Sequence, residues 1–250
     1  MEITLCKNCN FNYSGNYCPE CGQSVHEKRI DVHWLIHDIP HSVFHIDKGF
    51  FYTLKCLFTN PGKMVEGYLA GKRVKHFRPF AYVILIASIC TFVVNKLQSL
   101  TQSIYQKRFP NQVLEVNESF FSHYFSLFIF IMIPFASLIT WLFFIKRQYN
   151  YWEHFLVNTY LAAQLSLLLV LINLIKLFMT LFSEKTDVSE QGFFISFFMT
   201  GFLFLYGYTY GSLMSTKKTN LLKISLTITV MNCLLFILYY FGLIITNVIH

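Results

Sequence analysis

The sequence predicts an all-α integral membrane protein of about five transmembrane helices, with a small cysteine-rich head and amphipathic helices at the membrane surface. Three observations predict it. Of 250 residues, 54% are hydrophobic, 18% aromatic and only 13% charged, a balance foreign to water-soluble domains. Five segments are apolar and long enough to cross a bilayer: Pro79 to Leu97, Tyr124 to Ile145, Phe155 to Phe182, Phe193 to Leu213 and Leu221 to Ile245. Four of the seven cysteines crowd into Cys6 to Cys21. The chain therefore divides into a head over 1–25, a juxtamembrane connector over 26–78 and a helical bundle over 79–250.

In the head, Cys6-Lys-Asn-Cys9 and Cys18-Pro-Glu-Cys21 form C-x2-C-x8-C-x2-C, two knuckles that present four thiolates to one tetrahedral ion. The expected cofactor is structural Zn2+ on Cys6, Cys9, Cys18 and Cys21. With all four positions filled, no place is left for water or substrate, so catalysis is not expected there. The residue after each second cysteine must tolerate a left-handed backbone, which Gly22 does freely and Asn10 next best. Ser14-Gly15-Asn16 supplies a turn between the knuckles. A head this small cannot fold on apolar burial alone, so the metal is expected to supply most of its stability. The leader MEITLCKNC lacks both the basic start and the apolar run of a signal peptide, and the head is expected to remain in the cytosol. Thiols stay reduced there.

The formal charge of +7 comes from 20 basic against 13 acidic side chains. The first 25 residues hold Lys7 against Glu2 and Glu20, no surface for neutralising phosphates, which argues against nucleic acid as a partner. The basic residues gather instead beside apolar segments. Lys72, Arg73, Lys75 and Arg78 abut the first span and are candidate contacts to lipid headgroups, although orientation in the membrane alone explains them.

In the connector, His33, His37, His41 and His45 recur every four residues, but Pro40 interrupts the helix that would align them, and a histidine-rich surface is the expectation. From Val43 to Phe58 apolar positions follow helical spacing, with Asp47, Lys48 and Lys55 opposite, predicting an amphipathic helix in the cytosolic interface. Asn60-Pro61 starts a second short helix, Asn60 as N-cap and Pro61 at the first helical position, and Gly71 ends it.

Within the bundle, Lys72 to Arg78, Lys146-Arg147 and Lys217-Lys218 with Lys223 fall on one side, whereas Lys107, Arg108 and Lys185 on the other are offset by five acids. The bias predicts a cytosolic amino terminus and an external carboxyl terminus. No Asp or Glu lies inside a span, which argues against a carboxylate-driven pump. Asn158, Gln164, Asn173 and Asn232 read as hydrogen-bonding glue between helices. Neither H-E-x-x-H, G-x-S-x-G nor a P-loop occurs, and adjacent Glu153 and His154 point about 100° apart on a helix, a poor acid/base pair.

CPECGQ, then HSVFHIDKGFFYTLKCLFTNPG, then EGYLAGKRVKHFRPFAYVIL, resemble in that order the bacterial membrane proteins of domain-of-unknown-function family 3667, over about the first 95 residues. The resemblance implies a zinc-ribbon-like head on a multi-spanning tail in a bacterial cytoplasmic membrane. It also marks Asp47, Lys48, Gly49, Thr53, Pro61, Gly62, Gly71, Lys72, Arg73 and Pro79 as motif positions. It carries no activity with it. The expected function is a non-enzymatic adaptor or assembly protein whose zinc head docks a protein partner while the bundle anchors it in lipid. The alternative is a lipid- or small-solute-handling protein that uses the basic joint and the bundle.

Overall fold

The computed structural model describes residues 3–36, 49–110, 125–143, 149–182 and 229–230. Two short strands, β1 (Thr4–Leu5) and β2 (Asn12–Tyr13), pair antiparallel with Thr4 opposite Tyr13. Among the described residues, 32–36 are helical, and the longer helices α1 (Phe50–Thr59), α2 (Pro61–Leu69), α3 (Pro79–Arg108), α4 (Phe125–Phe143) and α5 (Tyr151–Phe182) follow. The expected span at Phe193 to Leu213 falls outside the described residues, as does all of Leu221 to Ile245 but residues 229–230, and as do His37, His41, His45, Asp47, Lys48 and Asn232.

Helices α3 and α5 are each long and apolar enough to cross a membrane. At 30 and 32 residues they run about 45–48 Å, so each outlasts a hydrocarbon core of about 30 Å. The first span was expected to end near Leu97, but its helix continues to Arg108 because nothing between them breaks it: the added turns carry no Gly or Pro. The two helices run in the same direction. Near their starts Phe80 meets Phe155, Tyr160 Oη donates to the Phe77 carbonyl (2.7 Å) and Gln164 Nε2 to Tyr82 Oη (2.9 Å). At their far ends Arg108 Nη1 donates to the carbonyls of Thr180 and Leu181. Those carbonyls belong to the last turn of α5, where a cation satisfies groups the helix itself leaves free. Helix α4, of 19 residues, comes between them in the chain and packs against α5.

The glue expected of the amides is present on α5. Asn158 Nδ2 donates to Thr140 Oγ1 on α4, and Gln164 reaches α3. Asn173 instead turns back onto its own helix at the Leu169 carbonyl. Ile89, Phe92, Leu171, Leu174 and Phe178 lie exposed along α3 and α5, the surface a lipid-facing helix presents.

The connector helices are not laid on lipid alone. One continuous core runs from Ile30 through Leu57 of α1 and Met64, Val65 and Tyr68 of α2 to Tyr82 and Ile86 of α3 and Leu156 and Tyr160 of α5. Helix α1 is correspondingly two-sided, Thr53 and Leu57 buried and Phe51, Tyr52 and Phe58 exposed.

Candidate metal centre and its joint to the bundle

Two equivalent loops build the cysteine cluster. Asn10 N–H bonds the Cys6 carbonyl and Cys6 N–H the Phe11 carbonyl; Gly22 N–H bonds the Cys18 carbonyl and Cys18 N–H the Gln23 carbonyl, all at 2.8–2.9 Å. Asn10 (φ 61°) and Gly22 (φ 77°) both take the left-handed backbone that closes each loop, as the sequence predicts. Gly15 turns the connection with φ 119°. The four Sγ atoms lie within 4.8 Å of one another, and Cys6–Cys21 and Cys9–Cys18 stand at 3.5 Å. A tetrahedral ion with bonds of ~2.3 Å to sulfur places its ligands about 3.8 Å apart, so the cluster fits one.

Its electrostatics also call for a cation. Burial pushes the Cys6 thiol up, but the Cys9 and Asn8 backbone N–H groups and the Cys21 and Cys9 thiols bring it down to about 7. Cys9 moves the other way, to about 12: the Phe11 N–H pulls it down, and burial with the Cys18, Cys6 and Cys21 sulfurs outweighs that pull. One thiolate opposes the next, and four coexist only around a positive ion.

The head lies against the joint. Gln23, two residues past Cys21, is buried, and its Nε2 donates to the Gly71 carbonyl (2.7 Å) while its Oε1 accepts the Arg73 N–H (3.3 Å). Arg73 Nη1 pairs with Glu27 Oε2 at 2.6 Å, Nη2 donates to the Lys28 carbonyl, and the guanidinium stacks over Trp34 (4.8 Å) and Tyr68 (5.5 Å). Lys7 Nζ donates to the Glu27 carbonyl (3.0 Å). Farther along, Arg29 grips buried Glu153 with Nε and Nη2, both at 2.8 Å. The carboxylate, through its hydrogen bonds first and its charge second, holds the Arg29 pKa above its ordinary value. Glu153 also accepts the Asn150 N–H, Asn150 Oδ1 accepts the Glu153 N–H, and Asn150 Nδ2 donates to the Ile30 carbonyl. Asn150-Tyr-Trp-Glu153 is thus a capping box that starts α5 and fastens the connector to it.

Each described motif position serves this joint. A Cβ on Gly49 would stand 2.6 Å from the Lys75 carbonyl oxygen, so only glycine lets α1 approach residues 75–77. Buried Thr53 accepts the Phe77 N–H (2.7 Å). Pro61 and Gly62 are buried in the first turn of α2, where Asn60 is the cap residue but makes no side-chain cap bond. Gly71 (φ 98°) closes α2: Gly71 N–H bonds the Tyr68 carbonyl and Lys72 N–H the Gly67 carbonyl, the paired bonds of a Schellman motif. Pro79 opens α3 at its first position.

Of the four candidate headgroup contacts, Lys72 and Lys75 are exposed, Arg78 is half-buried, and the Arg73 guanidinium is turned inward onto Glu27 and Lys28 of the connector. His33 is exposed and makes no metal cluster among the described residues. Glu153, committed to Arg29 and the cap, is not free for acid/base work, while the ring of buried His154 has no hydrogen-bond partner among the described residues. Sequence reasoning missed Gln23, Glu27, Arg29, Trp34 and Asn150. Only the capping box, Asn-x-x-Glu before an apolar run, was open to reading.

Residues 47–91 match the model of a family described as a protein of unknown function (DUF3667). The match supports the resemblance, and it covers α1, α2, the basic turn and the first half of α3. No curated protein and no solved structure matches the chain.

Proposed function

We propose that the chain is a membrane-anchored docking protein without enzymatic activity, whose metal-bound head receives a protein partner. One observation carries this reading. The head turns Gln23 inward to the joint and leaves Ile3, Leu5, Phe11 and Tyr17 at 75, 57, 45 and 68% exposure. So much exposed apolar side chain on a head whose buried apolar residues, among those described, are Cys6, Tyr13 and Cys18 is characteristic of a surface awaiting a partner. The clamp through Arg73 and Arg29 fixes the orientation of that surface, which lowers the entropy a partner's binding must overcome.

In this reading the ion is zinc, chosen by the four-thiolate set. The chain crosses a bacterial cytoplasmic membrane five times with the head in the cytosol and His250 outside, in keeping with its basic residues. A reporter fused after His250 that reads cytosolic overturns that topology. For docking, a photo-crosslinking residue at Phe11 should capture one discrete protein in cells, and Leu5→Ser with Tyr17→Ser should abolish the capture at unchanged metal content. No discrete product, or one indifferent to the double variant, overturns the docking reading.

A further inference from the structure

A cleft of about 330 Å³ opens between the head, the connector, the end of α2 and the start of α5. Its size falls in the range that holds small ligands. Lys7 from the head and Lys28 from the connector line it, with Leu69, Gly71 and Tyr149 as further walls. Two carboxylates also line it, but both are spent: Glu27 on Arg73 and Glu153 on Arg29. Among the described residues, no carboxylate pairs with either ammonium group. Lys7 uses one of its three N–H groups on the Glu27 carbonyl, and no carboxylate among the described residues pairs with exposed Lys28.

The walls hold Lys7 in place. Its side chain crosses the end of α2 over Gly71, where an added Cβ would stand 3.0 Å from Lys7 Cδ. The glycine that ends α2 therefore also gives the lysine stem its path. The cleft exists only while the head is docked, because Lys7 sits between the metal ligands Cys6 and Cys9. It also lies at the start of α5, a helix long and apolar enough to cross a membrane.

We propose that this cleft binds a phosphate group, held between the Lys7 and Lys28 ammoniums, and that the group reaches it from an anionic lipid headgroup or from a soluble phosphate. Two point charges from different walls suit a compact anion with several acceptor oxygens, and the volume leaves room for what the phosphate carries. This site differs from the Lys72 to Arg78 cluster and is independent of protein docking.

The test uses the full-length, metal-loaded protein in nanodiscs of phosphatidylcholine. Inorganic phosphate is titrated in one arm, and phosphatidylglycerol is doped into the disc in the other, with bound ligand read by native mass spectrometry. Binding in either arm should fall about fivefold for each of Lys7→Ala and Lys28→Ala. It should be kept by Lys7→Arg with Lys28→Arg and by Lys72→Ala with Lys75→Ala, and be lost on chelation. Binding in the lipid arm alone identifies a headgroup, and binding of free phosphate identifies a soluble source. If neither probe binds, or if Lys7→Ala with Lys28→Ala binds like wild type at equal metal content, the proposal is overturned.

Discussion

The head and the bundle are held together by different physics. In the head the buried apolar residues among those described are Cys6, Tyr13 and Cys18, with Cys21 and Val25 against them. In the bundle a continuous apolar core ties Ile30, α1 and α2 to α3 and α5. Apolar burial of the second kind sustains a fold by itself; the first cannot, and in the proposed reading it relies on an ion at the four thiolates and on polar fastenings to its neighbour. The seam between them is accordingly polar: Gln23 on the Gly71–Arg73 backbone, Glu27 on Arg73, and Arg29 on Glu153. A region without its own core borrows rigidity from one that has it.

The sharpest way to break the comparison is to remove the metal. Metal binding in small thiolate knuckles is worth on the order of 10 kcal/mol. Chelation, or Cys18→Ser, should unfold residues 3–25 while far-ultraviolet circular dichroism keeps the bundle's helical signal. Loss of bundle helicity on chelation would erase the distinction.

Next in size is Gly49→Ala. The methyl meets backbone at 2.6 Å, and the collision should cost about 2–3 kcal/mol, read as a lower midpoint for detergent-solubilised protein with metal content unchanged. Glu153→Gln should cost less, about 1–2 kcal/mol, because it weakens a cap and leaves Arg29 without its charge partner, and Arg29 is 60% exposed, so water and salt screen that loss. Trypsin cleavage after Arg29 should then speed up, more at low salt than a purely steric defect would show.

The pH dependence is smaller still. His76 lies between the Tyr52 and Tyr68 rings with Nδ1 buried and without a hydrogen-bond partner among the described residues. Burial first, against a hydrogen bond to the Lys72 backbone that raises it and with the Lys75 charge after, holds its pKa below the ordinary 6.5. The folded joint therefore binds fewer protons than the unfolded chain. Stability is intact above the unfolded pKa and falls as acid protonates the unfolded chain below about pH 6.5. A thermal midpoint followed from pH 7.5 to 5 should drop, and His76→Phe should flatten that drop.

Much of this was legible in the sequence. The cysteine spacing, with Asn10 and Gly22 behind each pair, announces the knuckles because a four-thiolate site dictates local geometry. Pro61, Gly71 and Pro79 announce helix ends because each has one compatible backbone place. The docking of head onto joint was not legible. Gln23, Glu27, Arg29 and Trp34 find their partners at separations of 39 to 124 residues, and such pairs leave no periodic mark. Arg73 shows the consequence: within a run of five basic residues it looks like its neighbours, and only the fold turns it inward.

The central claim is that the metal site holds the head clamped to the joint through Gln23. Amide hydrogen exchange on the full-length protein tests it most directly, at the Arg73 N–H that Gln23 Oε1 accepts. The account predicts that chelation and Gln23→Ala each strip protection from residues 71–73 while amides in the first half of α5 keep theirs. Protection at Arg73 that survives both treatments would contradict it.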